Sequence, residues 1–250
     1  MEQNRFPNNS QIIVLGVCIA AATVASSLII SKTLMTMKKF SSEVINVTGS
    51  AEKKITSDYI VWKSEFSRRD PQMTVAFQKL KEDLKVVNAY LISKDIREEE
   101  IIASQIETKI LYRKNEKGNN TNEIEGYCLS QGIEVRSGNV LKTAAVSRES
   151  TELINQGIEF ISNAPEYFYQ KLAALKLEML SEATQDAKKR AEQIAVSSGN
   201  KIGTLRAAKM GVFQITPVNS YEVSDWGMND TTSFEKKANA VVRVDFSISA

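Results

Sequence analysis

The sequence predicts an α+β fold in which a mixed, largely antiparallel sheet is packed by two or three long helices and preceded by one transmembrane helix. Three observations lead to this prediction. Several segments alternate apolar and polar residues, as strands do, while three others repeat apolar residues at helical spacing. A long uncharged stretch also lies near the N-terminus. The 250 residues are 42% hydrophobic and 25% charged, which is typical of a globular protein.

The predicted strands follow the alternation. Glu43–Thr48 opens the series, and Asp58–Arg68 is the clearest strand. Ile60, Trp62, Ser64 and Phe66 share one face of it, opposite Tyr59, Val61, Lys63 and Glu65. Ile101–Tyr112 and Ile124–Arg136 form a long hairpin around the charged, Asn-rich turn Arg113–Glu123. The other predicted strands are Ile158–Ile161, Glu166–Tyr169, Lys201–Thr216 and Asn239–Ser249. Since hairpins accompany the helices, a purely parallel sheet is disfavoured.

Three helices are predicted after the N-terminal stretch. The first has Asp70 as its N-cap and Pro71 as its first residue, and it runs to about Ser93. Asn139–Gln156 is the second, ended by Gly157, and Lys171–Ser198 is the longest, ended by Gly199. The apolar stripe predicted along the longest helix consists of Ala173, Leu177, Leu180, Thr184, Ala187, Ala191 and Ile194.

The uncharged N-terminal stretch is long enough to cross a membrane. Ile12–Ile30 has 19 residues, and a helix of that length spans about 28 Å, close to the hydrocarbon thickness of a bilayer. A cleaved signal peptide is the alternative, because small residues such as Ala25 offer cleavage sites. The uncleaved anchor is favoured, since the apolar run exceeds a usual signal core and Leu28–Ile30 continue it past those alanines. A buried core helix is a third interpretation.

The predicted domain organisation follows from this anchor. Residues 1–11 are an N-terminal tail, residues 12–31 are the transmembrane anchor or uncleaved signal, and residues 32–42 are a polar linker. Residues 43–250 form the folded domain. Lysines after the helix outnumber Arg5 before it, so the positive-inside rule taken alone places that domain in the cytoplasm.

Composition excludes several classes of function. The absence of histidine rules out Ser-His-Asp triads, Cys-His pairs and imidazole-ligated zinc sites. With only Cys18 and Cys128, one chain has no disulfide framework and no four-thiolate metal site. From Phe40 onward 28 basic residues face 29 acidic ones, and this neutral balance disfavours nucleic-acid binding, which needs a basic face.

Four groups of residues, in this order and spacing, resemble the SIMPL-domain family, a group of mostly bacterial extracytoplasmic proteins. They are Val47-Thr48-Gly49-Ser50-Ala51 with Asp58, then Ile96 after the first helix, then Gly126-Tyr127, and finally Ala183, Asp186-Ala187, Arg190-Ala191, Ala195, Gly199 and Ile202-Gly203. The resemblance covers about Glu43 to Ala250. Two positions depart from the family pattern, since Ser57 stands where proline is usual and Asp95 where glycine is usual.

The residues of these motifs are predicted to be structural. Gly49 and Gly126 are interpreted as bends in strands. Four alanines spaced four apart, from Ala183 to Ala195, let the longest helix approach a neighbouring element closely. The sequence therefore indicates a family that is defined by its architecture.

Other candidate residues are interpreted in the same way. Lys188-Lys189-Arg190 is predicted to be a solvated helix face rather than an anion site, and Cys128 a packed thiol rather than a redox sensor. Glu98-Glu99-Glu100 is interpreted as a solvated turn. The loop Pro217–Lys237 is predicted to fold back on the core rather than meet a partner; its aromatic and sulfur-containing residues are Tyr221, Trp226, Met228 and Phe234. No catalytic, cofactor-binding or metal-binding residue is predicted.

The predicted function is that of a non-enzymatic, membrane-anchored extracytoplasmic protein. The family resemblance implies homo-oligomers, rings or channel-like assemblies, a link with cell-envelope and oxidative stress, and an orientation opposite to the one the charge rule gives. Membrane contact is assigned to residues 12–30. Two alternatives remain open, an envelope enzyme that uses carboxylate, lysine or tyrosine groups and a membrane-tethered signalling adaptor on the cytoplasmic side.

Overall fold

The structure, a computed structural model, describes residues 9–220, 224 and 226–249. It confirms the α+β class. Helix α1 (Asn9–Ser42) contains the apolar span and continues through residues 32–42, so the predicted linker is helical. The other helices and strands are, in chain order, β1 (Val44–Thr56), β2 (Tyr59–Asp70), α2 (Met73–Ser93), β3 (Ile101–Lys114), β4 (Asn120–Ser137), α3 (Val140–Glu149), β5 (Glu159–Ser162), β6 (Glu166–Phe168), α4 (Leu172–Ser197), β7 (Lys201–Met210), β8 (Gln214–Pro217) and β9 (Glu235–Ser249).

The chain forms two compact units. The first consists of Met1–Ser50, Glu182–Gly211 and Val241–Ala250, and the second consists of Ala51–Ser181 and Val212–Ala240. In the first unit β7 pairs antiparallel with the second half of β9, and in the second unit β8 pairs antiparallel with its first half. Strand β1 hydrogen-bonds to β9 on the other side, which gives the sheet order β1-β9-β7.

The second unit contains a five-stranded sheet in the order β3-β4-β2-β5, with β6 also paired to β2. Each of these pairings is antiparallel. Ile60, Trp62, Ser64 and Phe66 are buried on one face of β2, as the alternation predicts. Helix α2 covers this face with Ala76, Leu80, Val87 and Leu91, which are also buried. The opposite face, which carries Lys63, Glu65 and Arg69, is exposed.

The predicted start of α2 is wrong by two residues. Asp70 is not an N-cap, because its backbone extends the β2 ladder opposite Tyr127 and the helix begins at Met73. The Asp70 carboxylate still serves the helix entry, since it accepts hydrogen bonds from the Gln72 backbone N–H at 3.0 Å and from Lys79 Nζ at 2.9 Å. Strand pairing therefore moves the start of the helix to Met73, while the Asp70 carboxylate still accepts a backbone N–H at the helix entry.

Part of the stripe predicted along α4 is also wrong. Ala173, Leu177 and Ile194 are exposed, while every fourth residue is buried: Leu175, Met179, Ala183, Ala187, Ala191 and Ala195. A row of i±4 positions is one of the ridges along which a helix packs. The predicted stripe alternates spacings of four and three residues, so several of its positions lie beside this ridge rather than on it. The alanine ladder itself is confirmed as buried.

Two more boundaries differ from the predictions. The α-helix that begins after Asn139 ends at Glu149 and continues as a 3₁₀ helix, Ser150–Gln156. Gly157 then takes the left-handed conformation that ends it, as predicted. The segment predicted as one strand, Lys201–Thr216, is two strands, because the chain leaves the sheet between Met210 and Gln214.

Candidate functional site

The family-like residues of the first unit meet at one close contact between β1 and α4. We call it the motif contact and define it by Gly49, Ser50, Ala183, Asp186 and Ala187. A side chain at Gly49 would collide with the backbone of Ala183 and Ala187 and would lie 2.7 Å from the Ala187 Cβ. Gly49 is therefore required by the closeness of the helix, and the prediction that it serves as a bend in the strand is corrected.

Asp186 fixes this contact electrostatically. Its carboxylate accepts a hydrogen bond from the Ser50 backbone N–H at 2.9 Å and an ion-paired one from Arg190 Nε at 2.8 Å. The Ser50 N–H holds the pKa of Asp186 below its usual range, and Arg190 lowers it further. Asp186 thus joins strand to helix, and Arg190 lies one turn along the same helix. Lys188 pairs with Glu192 at 3.8 Å, and all three basic residues are exposed, as predicted for a solvated helix face.

Three further family-like residues have structural contacts. The Asp58 carboxylate accepts the Gln170 backbone N–H at 2.7 Å, which holds the entry to α4 within the second unit. A side chain at Gly126 would lie 3.0 Å from the Asp70 carbonyl oxygen, so close backbone approach explains this glycine. A side chain at Gly203 would collide with the Ser247 hydroxyl and lie 3.3 Å from the Ser247 carbonyl oxygen.

Asp95 shows why its position favours glycine. It is the one non-glycine residue of the described chain with a positive φ, at 57°. The turn ends α2, with the Ile96 N–H bonded to the Leu91 carbonyl at 3.1 Å. Aspartate tolerates this left-handed conformation better than most residues. Its exposed carboxylate pairs with Lys142 Nζ at 2.9 Å, which lowers the pKa of Asp95.

The hairpin of the second unit extends past its neighbouring strand. Strand β2 pairs with β4 only between Tyr127 and Ser137, so the segment Leu111–Gly126 projects as a two-stranded ribbon. We call this segment the hairpin arm. Tyr112 and Ile124 lie opposite each other on the arm, and both are exposed. An isolated two-stranded ribbon is at best marginally stable in water, and this one leaves an apolar pair exposed.

A cleft of about 880 Å³ lies where the arm leaves the sheet. Its charged lining residues are Arg69, Asp70, Lys109, Arg113, Lys114 and Glu125. Arg113 forms an ion pair with Glu123 at 2.8 Å across the arm, and Asp70 forms one with Lys79. The cleft is therefore lined by charges of both signs together with Ile110, Leu111 and Tyr112.

Cys128 lies beside this cleft on the open face of the sheet. Its cross-strand neighbours are Arg69 on β2 and Lys109 on β3, and the thiol is half-buried. The predicted packing of Cys128 is therefore only partial. Cys18, the other cysteine, is exposed on α1.

The acidic turn is only partly solvated, contrary to the prediction. Glu98 and Glu99 are exposed, but Glu100 is buried and bonded to Arg97 at 2.9 Å. Burial alone would raise the pKa of Glu100, but hydrogen bonds from Arg97 and the Ser137 hydroxyl bring it below its usual range. Glu100 therefore ties the start of β3 to the end of β4.

The loop before β9 folds back on the core only in part. Phe234 packs edge-on against Tyr167 at a centroid distance of 6.1 Å, whereas Trp226 is 97% exposed. Met228 is half-buried, and Tyr221 lies outside the described residues. Sequence reasoning missed Lys236, whose buried ammonium donates to the backbone carbonyls of Tyr167 and Asp230. Burial lowers the pKa of Lys236. A lysine within an alternating strand gives no sequence signal for such burial.

Metal-ligating side chains do not gather in groups of three or more anywhere in the described part of the chain. The shifted pKa values belong to groups that join structural elements. Asp186 is an example in the first unit and Glu100 in the second. The hairpin arm, with its exposed apolar pair, and the cleft at its base are surface features of the second unit.

The motif contact, the turn at Asp95 and the glycine approaches define a class by architecture rather than by a reactive centre. The model of the SIMPL family, described as a protein of unknown function (DUF541), matches residues 45–247, and the chain belongs to this family. No curated protein matches the chain. The family match covers both compact units, and the domain boundaries at residues 11, 31 and 42 stay predictions.

Proposed function

We propose that this SIMPL protein is a non-enzymatic, membrane-anchored extracytoplasmic protein whose copies assemble through the hairpin arm. The observation that carries the proposal is the arm itself, a projecting ribbon with an exposed Tyr112–Ile124 pair above a cleft of mixed charge. A second copy offers the same apolar pair and the same two signs of charge. Such self-complementary patches are what isologous contacts require.

The anchor is supported by α1. Its segment Ile13–Met35 has a mean hydropathy of 2.5, and none of its most apolar window is buried against the rest of the chain. An apolar helix without a protein partner is stable in lipid but not in water. A signal sequence has the same properties, so the proposal depends on the helix staying attached. Alkaline extraction of membranes, followed by N-terminal sequencing of the retained protein, tests this. A mature chain that begins near Ser26 would contradict the anchor.

Assembly is tested by shortening the arm. Replacing residues 112–125 by Asn-Gly joins Leu111 to its partner Gly126 through a two-residue turn of the preferred type. The control replaces Glu116 and Lys117 at the tip by serine and leaves both arms intact. We expect light scattering in detergent micelles to show a lower oligomeric mass for the shortened chain only. A folded, shortened chain with the parental mass would refute assembly through the arm.

The extracytoplasmic orientation separates this proposal from a cytoplasmic adaptor. Protease added to intact cells should degrade the folded units if they lie outside, whereas an adaptor would be protected until the cells are lysed. The role in envelope stress rests on the family resemblance, and the half-buried Cys128 between Arg69 and Lys109 is the thiol through which to test it. We expect Cys128→Ser to keep the oligomeric mass and to change survival under oxidant if the thiol is used.

A further inference from the structure

One end of the first unit is fixed to the apolar helix by the chain itself. Helix α1 ends at Ser42 and β1 begins at Val44, so Glu43 alone separates them. The apolar span ends at Met35, and the helical residues from there to Ser42 cover only about 10 Å. The headgroup layer on each side of a bilayer is about 5–7 Å thick. We call residues 36–42 the tether. With the span in the membrane, this short tether holds Glu43 close to the lipid headgroups.

Backbone contacts within the first unit identify what else lies at this end. The Glu43 carbonyl accepts a hydrogen bond from the Ile248 N–H at 3.2 Å, and Ile248 pairs with Ile202 at the start of β7. The turn before β7 is closed by the Asn200 N–H, which donates to the Ala195 carbonyl at 2.8 Å. The last turn of α4 therefore lies at the same end as Glu43.

The side chains at this end are unusual for a water-facing helix terminus. Ile194 is 50% exposed and Val196 is 69% exposed, on the two flanks of the buried Ala195. Ile248 adds a partly exposed apolar side chain, and Lys201 is exposed with no ion pair to any described residue. Single exposed apolar residues need no explanation. Here three of them and Lys201 lie at one end of the unit, in the last turn of α4 and at the paired ends of β7 and β9, next to Glu43.

We infer that this end of the first unit rests on the bilayer surface, with Ile194 and Val196 inserted among the lipid headgroups and Lys201 facing anionic lipid. This inference rests on the proposed anchoring by α1. Apolar side chains with a neighbouring lysine suit the membrane interface, where the former leave water and the latter meets phosphate. Because the tether already holds the surface in place, even a weak individual contact is populated.

The test uses the full-length chain reconstituted in vesicles of phosphatidylcholine and phosphatidylglycerol. Cys18 and Cys128 are replaced by serine, and Val196→Cys carries an environment-sensitive fluorophore. The matched control is Met210→Cys, which replaces another apolar residue, 66% exposed, at the opposite end of β7. Nine residues of strand place it about 30 Å from Lys201. We expect a headgroup-linked quencher to reduce the fluorescence severalfold more at position 196 than at position 210.

The outcomes distinguish this inference from the proposed anchoring. Equal quenching at positions 196 and 210, in protein that alkaline washing leaves in the vesicles, overturns the membrane contact and leaves the anchor intact. Protein removed by alkaline washing overturns the anchor and the contact together. As a second variant, Lys201→Gln in the labelled chain should weaken quenching in anionic vesicles and have little effect in vesicles of phosphatidylcholine alone. An identical loss in both lipids would overturn the role of Lys201.

Discussion

The motif contact and the hairpin arm are built on opposite principles. At the motif contact the backbones of β1 and α4 come so close that no side chain fits at Gly49, and the ladder from Ala183 to Ala195 is fully buried. On the arm two backbones meet at the ordinary separation of a strand ladder, and Tyr112 and Ile124 are open to solvent. The motif contact requires a position without a side chain, whereas the character of the hairpin arm is set by the side chains that it exposes.

This difference explains why family membership says little about activity here. The family-like residues lie where backbone closeness or a helix entry demands them, as at Gly49 and Asp58. On the arm such backbone requirements fall on two glycines, Gly118 with its φ of 80° at the tip and Gly126 at the base. Its exposed side chains meet no such requirement, so we look for properties particular to this chain on the arm.

The largest effect is expected from Gly49→Ala. The added methyl group meets backbone atoms of α4 that no side-chain rotation can move away. Overpacking of this kind costs typically 1–3 kcal/mol and sometimes more, and we expect a loss of stability of about 3 kcal/mol. Urea unfolding of full-length protein in detergent micelles, followed by circular dichroism, measures it.

Gly138→Ala is the matched control for this variant. The nearest atom to a side chain at Gly138 is the Asp58 carbonyl oxygen at 3.9 Å, an ordinary contact. Its unfolding midpoint should stay close to that of the parent. Equal midpoints for Gly49→Ala and the parent would mean that β1 and α4 are farther apart than the structure shows.

The sequence predicts the elements of this fold well and the contacts between elements poorly. Alternation identifies the buried face of β2 because it depends on neighbours along one strand, and Ile60, Trp62 and Phe66 are buried as expected. The burial of Lys236 depends on carbonyl groups of Tyr167 and Asp230, which are distant in sequence or lie in a loop. Local patterns carry no information on such partners.

The candidate surface follows the same division. The hairpin is predicted from its two alternating arms, and β3 and β4 confirm it. Its projection past β2 depends on where β2 ends, and the ladder through Asp70 sets that point. Because Asp70 is predicted to be a helix cap, the predicted strand ends at Arg68, whereas β2 continues to Asp70. The cleft at the base of the arm is beyond such reasoning, because β2, β3 and β4 all contribute to it.

A smaller effect is expected from the charge at the motif contact. The pKa of Asp186 is lower in the folded chain than in the unfolded one, so its contribution is complete above the unfolded value of about 4 and is lost as the pH falls through the folded value. After allowance for solvent screening we expect roughly 1 kcal/mol. Asp186→Asn should therefore flatten the fall in stability below pH 5.

Glu192→Gln removes a carboxylate from the same helix without touching Ser50, and it is the control for this variant. Urea midpoints between pH 7 and pH 3 measure both. If Asp186→Asn and the parent lose stability in parallel as the medium is acidified, the Ser50 N–H does not stabilise the charged carboxylate.

A still smaller effect, of opposite sign, is expected at Asp95. Glycine adopts a φ of 57° without the steric cost that a side chain carries, and the exposed pair with Lys142 contributes little. Asp95→Gly should therefore raise the melting temperature, by roughly 1–3 °C. Asp95→Asn keeps the tolerance of the left-handed conformation and removes the charge, so it should melt with the parent. A lower melting temperature for Asp95→Gly would show that the ion pair outweighs the backbone.

The smallest effect on the single chain is expected from the arm, and it sharpens the contrast with Gly49. Tyr112→Ser with Ile124→Thr removes apolar surface that is already in water, so at high dilution the free energy of unfolding should change by less than about 0.5 kcal/mol. At higher protein concentration the parent should gain apparent stability through assembly, and the double variant should not. Unfolding midpoints measured over a wide range of concentration test both statements. A large loss at high dilution would mean that the arm packs within one chain, whereas equal gains on concentration would move the assembly surface elsewhere.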